Sequence, residues 1–273
     1  MHAANEARPF VDTTVAKLML SRMRVTHEET GISVISGPWG IGKTTTIDVF
    51  AGEHEYQCAV VKVEPGTTKR GATGGKVMQG VVEALRAVSG RPIGTQLSNA
   101  TWTLRQMIGN LMSELFDGEF SAEECRNGEH PRFTFIFDEA QHLSREAIDI
   151  LRFWNDRDRT ATPFPVGLIF VGNNEFAMAE SLGGDSVLSG AVRSRLLFEV
   201  PLAYTHINDT DLTLFAQSRG VTDASALREF VAYFSQSRVK RDLRAAERLL
   251  TTCRRHAGED TVTHDIVREV LGC

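Results

Sequence analysis

The sequence predicts a parallel α/β sheet flanked by helices and followed by a small all-helical domain. Three observations predict it. Ile32–Ile35 is a short apolar, β-branched run that leads directly into a glycine-rich loop and then a helical stretch. Short apolar runs then alternate with helical segments as far as Val200, the pattern of βαβ units. From Ala203 onward only helical periodicity remains.

In chain order, residues 1–30 are mixed and polar, with an amphipathic stretch from Thr13 to Arg24 in which Val15, Leu18, Met19 and Met23 share a helical face. The strand at Ile32–Ile35 and the loop from Gly37 to Thr44 come next, and Thr45–Phe50 continues as a helix. Cys58–Val63 is a second buried-strand candidate, leading into a glycine-rich basic loop from Pro65 to Lys76. Helices are expected over Val77–Val88 and Ser98–Phe116, and a polar connection over Asp117–Pro131. Phe133–Phe137 reads as a central strand ending in Asp138-Glu139, followed by a helix from Arg145 to about Asn155 and a loop holding Arg157, Asp158 and Arg159. Val166–Val171, closed by Gly172-Asn173-Asn174, and Leu196–Val200 complete the strands. In the tail, apolar residues recur at helical spacing: Leu212, Leu214 and Phe215, then Phe230, Val231 and Phe234, then Leu243, Ala246, Leu249 and Leu250. The expected division is an N-terminal helical extension (1–30), an α/β domain (31–202) and a helical domain (203–273).

With 273 residues, 42% hydrophobic and 24% charged, the chain has room for such an arrangement with a core of ordinary size. A net charge of −5 excludes a global basic field, so any polyanion must be held by local patches. The four cysteines, Cys58, Cys125, Cys253 and Cys273, are scattered without a C-x-x-C pair, which argues against a zinc site or a disulfide framework. No apolar run has the length of a bilayer, and a cytoplasmic protein without membrane contact is expected.

Gly37-Pro38-Trp39-Gly40-Ile41-Gly42-Lys43-Thr44 fills every fixed position of G-x-x-x-x-G-K-[ST], the phosphate-binding loop. Glycines let the backbone curl so that successive N–H groups point at one anion, and the following helix adds its positive N-terminal end. Lys43 then reaches the β- and γ-phosphates, and the Thr44 hydroxyl ligates Mg²⁺. Asp138 and Glu139 sit at the C-terminal end of an apolar strand, where open α/β sheets place their chemistry. There Asp138 suits the metal and Glu139 suits the general base that polarises the attacking water. Asn173, with Asn174 as its competitor, suits the orientation of that water. Arg195, or else Arg193, precedes the last strand, and an arginine there acts on the γ-phosphate of a neighbouring subunit. Arg244, with Arg241 a turn earlier, suits a reporter from the helical domain to the phosphates.

This ordered set resembles the AAA+ ATPases over most of the chain. Gly37–Thr44 resembles Walker A, Phe133–Glu139 Walker B, Asn173 sensor 1, Arg195 the arginine finger and Arg244 sensor 2. Asp138-Glu139-Ala140-Gln141-His142-Leu143, Phe170-Val171-Gly172-Asn173 and Arg193-Ser194-Arg195 are similar to the transposition ATPases of the MuB, TniB and TnsC kind, cousins of the origin-recognition initiators.

The resemblance implies an AAA+ P-loop sheet with a helical lid, and ATP and Mg²⁺ as cofactors. The nucleotide would be held by Gly37 to Thr44, Thr45 and Asp138, and the metal by Thr44 and Asp138. The roles it implies in hydrolysis fall to Lys43, Glu139, Asn173, Arg195 and Arg244. It also implies ATP-dependent homo-oligomeric rings or helical filaments on duplex DNA, with the arginine finger acting in trans, that deliver the target to a transposase or recombinase and are reset by hydrolysis. Thr68, Lys69, Arg70 and Lys76 occupy the place of the DNA-tracking element, where cations among glycines grip the backbone without reading sequence. The chain departs from MuB-like proteins that carry an extra N-terminal DNA-binding domain, since the residues before Ile32 are too few for one. Secretion and signalling branches of the superfamily share the short strings, and there the ATP cycle drives a protein partner without DNA.

Overall fold

The computed structural model describes residues 9–65, 72–92, 97, 99–116, 121–127, 129–156, 162–174, 188–258 and 260–272. They fall into two compact units. One comprises Leu20–Gly37 and Ile47–Pro201, and the other comprises the described part of Met1–Met19, Pro38–Thr46 and Leu202–Cys273.

The first unit is built on a parallel sheet of β1 (Ile32–Ser36), β2 (Cys58–Lys62), β3 (Thr134–Asp138), β4 (Gly167–Gly172) and β5 (Leu196–Pro201) in the order β2-β3-β4-β1-β5. Strands β1, β3 and β4 are buried at every position, as both faces of a parallel sheet covered by helices require. The edge strand β5 instead alternates, with Leu196 and Phe198 partly buried, Val200 buried and the residues between them exposed. Phe133, Phe135, Phe137, Leu168 and Phe170 join one core with residues of α3 (Gly74–Val88), α4 (Thr101–Leu115) and α6 (Arg145–Arg152). The alternate residues Ile136 and Ile169, which point to the other face, are equally buried. All five expected strands are present within a residue or two.

Two expectations about the connections need correction. The region from Asp117 to Pro131 contains a short helix, α5 (Ala122–Asn127), opened by Glu123 and Glu124 in its first turn. Lys76 does not lie in a loop, because α3 begins at Gly74. A Cβ on Gly74 would come within 2.6 Å of Ile150 Cδ1, so the glycine is what lets the start of α3 pack closely on α6. Close packing outweighs the poor helix propensity of Gly74-Gly75.

A buried polar node lies at the opposite end of the sheet from its C-terminal edge. His27, at the end of α1 (Thr14–Glu28), shares a hydrogen bond of 2.9 Å between its Nδ1 and Thr134 Oγ1 and packs edge-on against His54. Gly167 makes room for this pair, since a Cβ there would sit 2.7 Å from Thr134 Oγ1. Burial first, then the nearby His54, pushes the His27 pKa down to about 4. A depressed histidine is neutral in the folded chain while the unfolded chain takes up a proton below about pH 6.5. Its contribution is therefore complete above that pH and is lost as pH falls toward 4, amounting to about 3 kcal/mol. Urea unfolding of a His27→Gln variant is expected to show a shallower loss of stability between these pH values than wild type. Parallel curves would remove His27 from the account.

The second unit is helical: α8 (Asp209–Ser218), α9 (Ala224–Phe234), α10 (Leu243–Ala257) and α11 (His264–Leu271), with the short α7 (Gly190–Arg193) belonging to the sheet unit. Asn208, Asp223 and Asp242 cap α8, α9 and α10 through side-chain oxygens that accept from backbone N–H groups. Leu212, Phe215, Phe230, Phe234, Ala246 and Leu250 form its buried stripes, while Leu214 faces outward. Asp211 Oδ1 accepts from both Thr14 N (2.8 Å) and Thr14 Oγ1 (3.1 Å), pinning the start of α1 to α8. Among the described residues no helix is long and apolar enough to cross a membrane.

Candidate functional site

In the helical unit, the loop Pro38–Thr44 turns on two glycines with positive φ, Gly40 at 77° and Gly42 at 93°, where a side chain would strain the backbone. Gly40 has a second reason to be glycine: a Cβ there would come 1.8 Å from Asp242 Oδ1. Leu243 N–H donates to Gly40 O (2.8 Å), and the Tyr204 hydroxyl donates to Trp39 O (3.0 Å). The first turn of α10 is thus seated on the loop. Ile41 is buried, Lys43 Nζ donates to Pro38 O (2.8 Å), and Thr44 and Thr45 are exposed in the opening turn of α2 (Lys43–Glu53).

The same seating separates the two arginines weighed for the lid. Arg241 is engaged, donating to Ile207 O (2.8 Å), Asp209 Oδ1 (2.6 Å) and Ser235 Oγ (3.1 Å). Arg244 is exposed in the first turn of α10, beside the loop that Asp242 and Leu243 touch.

In the sheet unit, the register places Asp138 level with Val171, and Val171 level with Ile35. Two strand spacings, about 10 Å in all, separate the end of β3 from the end of β1. Gly37, the residue from which the loop departs, donates its N–H to Gly172 O (3.2 Å). The C-terminal edge therefore collects Gly37, Asp138, Glu139 and Asn173. Asp138 is buried, and its Oδ1 accepts from Glu139 N (2.9 Å). Glu139 has φ 57°, a left-handed conformation that costs a non-glycine residue about 1 kcal/mol. Asn173 is buried and Asn174 half-buried.

Three side chains at these places were not singled out by sequence reasoning. Gln141, in the 3-10 turn Ala140–His142, donates from Nε2 to Glu139 Oε2 and accepts at Oε1 from Asn173 N (3.1 Å). Asp48 on α2 has its carboxyl pKa raised by partial desolvation and then by the charge of Asp138, which places a second acid near that carboxylate. Asp242 is the cap of α10 that also excludes a side chain at Gly40. Only Asp242 had a local signal, as an acid immediately before an apolar helical run.

Arg195 lies at the other edge of the sheet. It precedes β5, whose first residue pairs with Ile32 at the start of β1, so about 15 Å of strand separates it from the C-terminal edge. It is paired with Asp156 at 3.2 Å and remains partly exposed, whereas Arg193 is half-buried. Of the candidate DNA contacts, Thr68, Lys69 and Arg70 lie outside the described residues, as do Arg157 and Arg159, and Lys76 is exposed in the first turn of α3.

A parallel sheet whose first strand runs into a glycine-rich loop, accompanied by a helical unit, is the AAA+ type of α/β fold. The model of the AAA domain family matches residues 26–178, and the chain belongs to this family of nucleotide-hydrolysing ATPases. No curated protein matches the chain by sequence. Among solved structures, the ADP form of the Aeropyrum pernix ORC2 protein is 17% identical with a TM-score of 0.62, over 98% of this chain and 70% of that one. The Aeropyrum pernix ORC1 protein in complex with DNA is 16% identical with a TM-score of 0.57, over 98% and 67%. The Thermotoga maritima RuvB Holliday junction branch migration motor is 14% identical with a TM-score of 0.54, over 97% and 72%. At these identities the likeness is one of fold.

Proposed function

We propose that the protein is an ATPase that oligomerises on duplex DNA in its ATP state and selects or delivers target DNA to a transposase or recombinase, with hydrolysis as the reset. The observation that carries the hydrolytic part is the sheet edge, where Gly37, Asp138, Glu139 and Asn173 meet. The reading as a magnesium-bound ATP site draws support within each unit: Gly40 and Gly42 turn the loop at positive φ, and Asp138 brings a buried carboxylate to the sheet edge. Bound there, the nucleotide would supply the γ-phosphoryl group and the metal would supply positive charge against the phosphate oxygens.

Gly37 to Thr45 hold the phosphates, Lys43 by its ammonium, and Thr44 and Asp138 hold the metal. Glu139 takes the proton of the attacking water on its carboxylate, and Asn173 orients that water. Arg244 reports the phosphates to the helical unit. The position of Arg195 at the far edge of the sheet supports action in trans, on a neighbour's phosphate and not its own. Such an exchange would release Asp156.

The DNA part draws support from the fold shared with the ORC1 protein solved on DNA and with the RuvB branch migration motor. Thr68, Lys69, Arg70 and Lys76 are the proposed backbone contacts. The test is binding to a labelled duplex with and without a slowly hydrolysed ATP analogue, at two salt concentrations, with electron microscopy of the mixture. The expected result is analogue-dependent binding, with rings or filaments on DNA, that weakens by about tenfold or more between 50 and 200 mM salt. Replacing Lys69, Arg70 and Lys76 by alanine should flatten that dependence. Analogue-dependent assembly with no DNA affinity at low salt would reject the DNA part and direct attention to a protein partner, as in secretion or signalling systems.

A further inference from the structure

We propose that Gln141 is the positioning residue for Glu139, holding the proposed water-activating carboxylate to the strand end that carries Asn173. The inference rests on the hydrolytic reading of Glu139 and adds a residue to that site.

The chemistry of the bridge calls for a group that both donates and accepts, as a primary amide does. A carboxylate oxygen only accepts and a backbone N–H only donates, so the group between them must donate at one atom and accept at the other. Gln141 does both: Nε2 donates to Glu139 Oε2, while Oε1 accepts from Asn173 N at 3.1 Å. Its amide orientation is thereby determined by its two partners. The bond to Oε2 leaves Oε1 as the oxygen assigned, in this reading, to take the proton.

The backbone around the bridge is held as firmly as the side chain. Glu139 adopts φ 57°, a conformation that a glutamate keeps only where its surroundings impose it. His142 N–H closes the 3-10 turn on Glu139 O at 3.0 Å, and Ala140 is buried beneath it. On its outer side the turn is tied to the chain entering α3, where Ala72 N–H donates to His142 O (2.6 Å) and Ser144 N–H donates to Ala72 O (3.2 Å). Gln141 thus projects from a turn fixed at both ends and spans 32 residues of sequence to reach β4. A side chain serving only to fill space would need neither the donor nor the acceptor.

The test compares three variants of the full chain by steady-state ATP turnover, ATP-analogue affinity, thermal stability and the pH profile of kcat. Gln141→Met keeps the shape and removes both hydrogen bonds; kcat is expected to fall about tenfold to a hundredfold while analogue affinity stays within about twofold. Gln141→Glu keeps an acceptor for Asn173 N but sets a second carboxylate against Glu139. The acid limb of kcat should then move to higher pH, because adjacent carboxylates resist both being ionised. A purely structural glutamine would lower thermal stability and leave that limb in place.

Glu139→Gln is the control that separates the two readings. If it is inert while Gln141→Met turns over at the wild-type rate and Gln141→Glu keeps the wild-type acid limb, the role of Gln141 is overturned and that of Glu139 stands. If Glu139→Gln itself hydrolyses at the wild-type rate, both are overturned. Should Gln141→Met fail to fold, the acid limb of Gln141→Glu decides alone.

Discussion

Glu139→Gln is expected to bind ATP with unchanged affinity and to lose turnover by a factor of about 10² to 10⁴, the range that a positioned general base supplies. The substitution preserves the size of the side chain and its ability to accept from Gln141, so neither the left-handed turn at Glu139 nor the buried Asp138 beside it should be disturbed. The variant should accumulate in the ATP-bound, assembled state, because the step that resets it is missing. Phosphate release and retention of labelled ATP on a filter measure the two halves of this expectation. A variant that still releases phosphate at the wild-type rate would show that another residue activates water.

The second large effect is expected at Gly40. An alanine there must hold φ near 77° and place its Cβ 1.8 Å from Asp242 Oδ1, so the Asp242 side chain must leave its capping position, or the loop or the first turn of α10 has to move. Strain of this kind together with overpacking costs about 2–4 kcal/mol. Urea unfolding should show the loss, and ATP-analogue affinity should fall with it, since the loop is displaced. The diagnostic is the double variant. Asp242→Ala alone removes a helix cap, at about 1 kcal/mol, but it also removes the clash. Gly40→Ala with Asp242→Ala should therefore be more stable than the sum of the two single changes predicts. Strict additivity would mean that the Asp242 side chain does not approach Gly40.

How far the sequence reveals this protein depends on the range of the interactions involved. The strands at Ile32, Thr134 and Gly167 were legible because a strand buried on both faces must be a continuous apolar run, and the edge strands at Cys58 and Leu196 because apolar residues still dominate them. Helix α5 was missed because Ala122–Asn127 carries no apolar stripe, only acids at its start. The two glycines before Lys76 read locally as a loop, and the contact of Gly74 with Ile150 that favours a helix there cannot be seen locally. The different surroundings of Arg241 and Arg244 are likewise invisible locally. Ile207 and Asp209, more than thirty residues upstream, engage the first, while the second is exposed.

By itself the sequence determined the alternating α/β class, the helical tail, the glycine loop after β1 and the acids that end β3, because periodicity and glycine chemistry act over a few neighbouring residues. Only the tertiary structure decided the rest. Strand order set β1 between β4 and β5, which brought Gly37 to the edge shared by Asp138 and Asn173 and sent Arg195 to the opposite one. Side chains joined Gln141 to Asn173, and packing brought Asp242 to Gly40. These pairings link residues far apart in the chain, and their energies exist only once the strands and helices have been brought together.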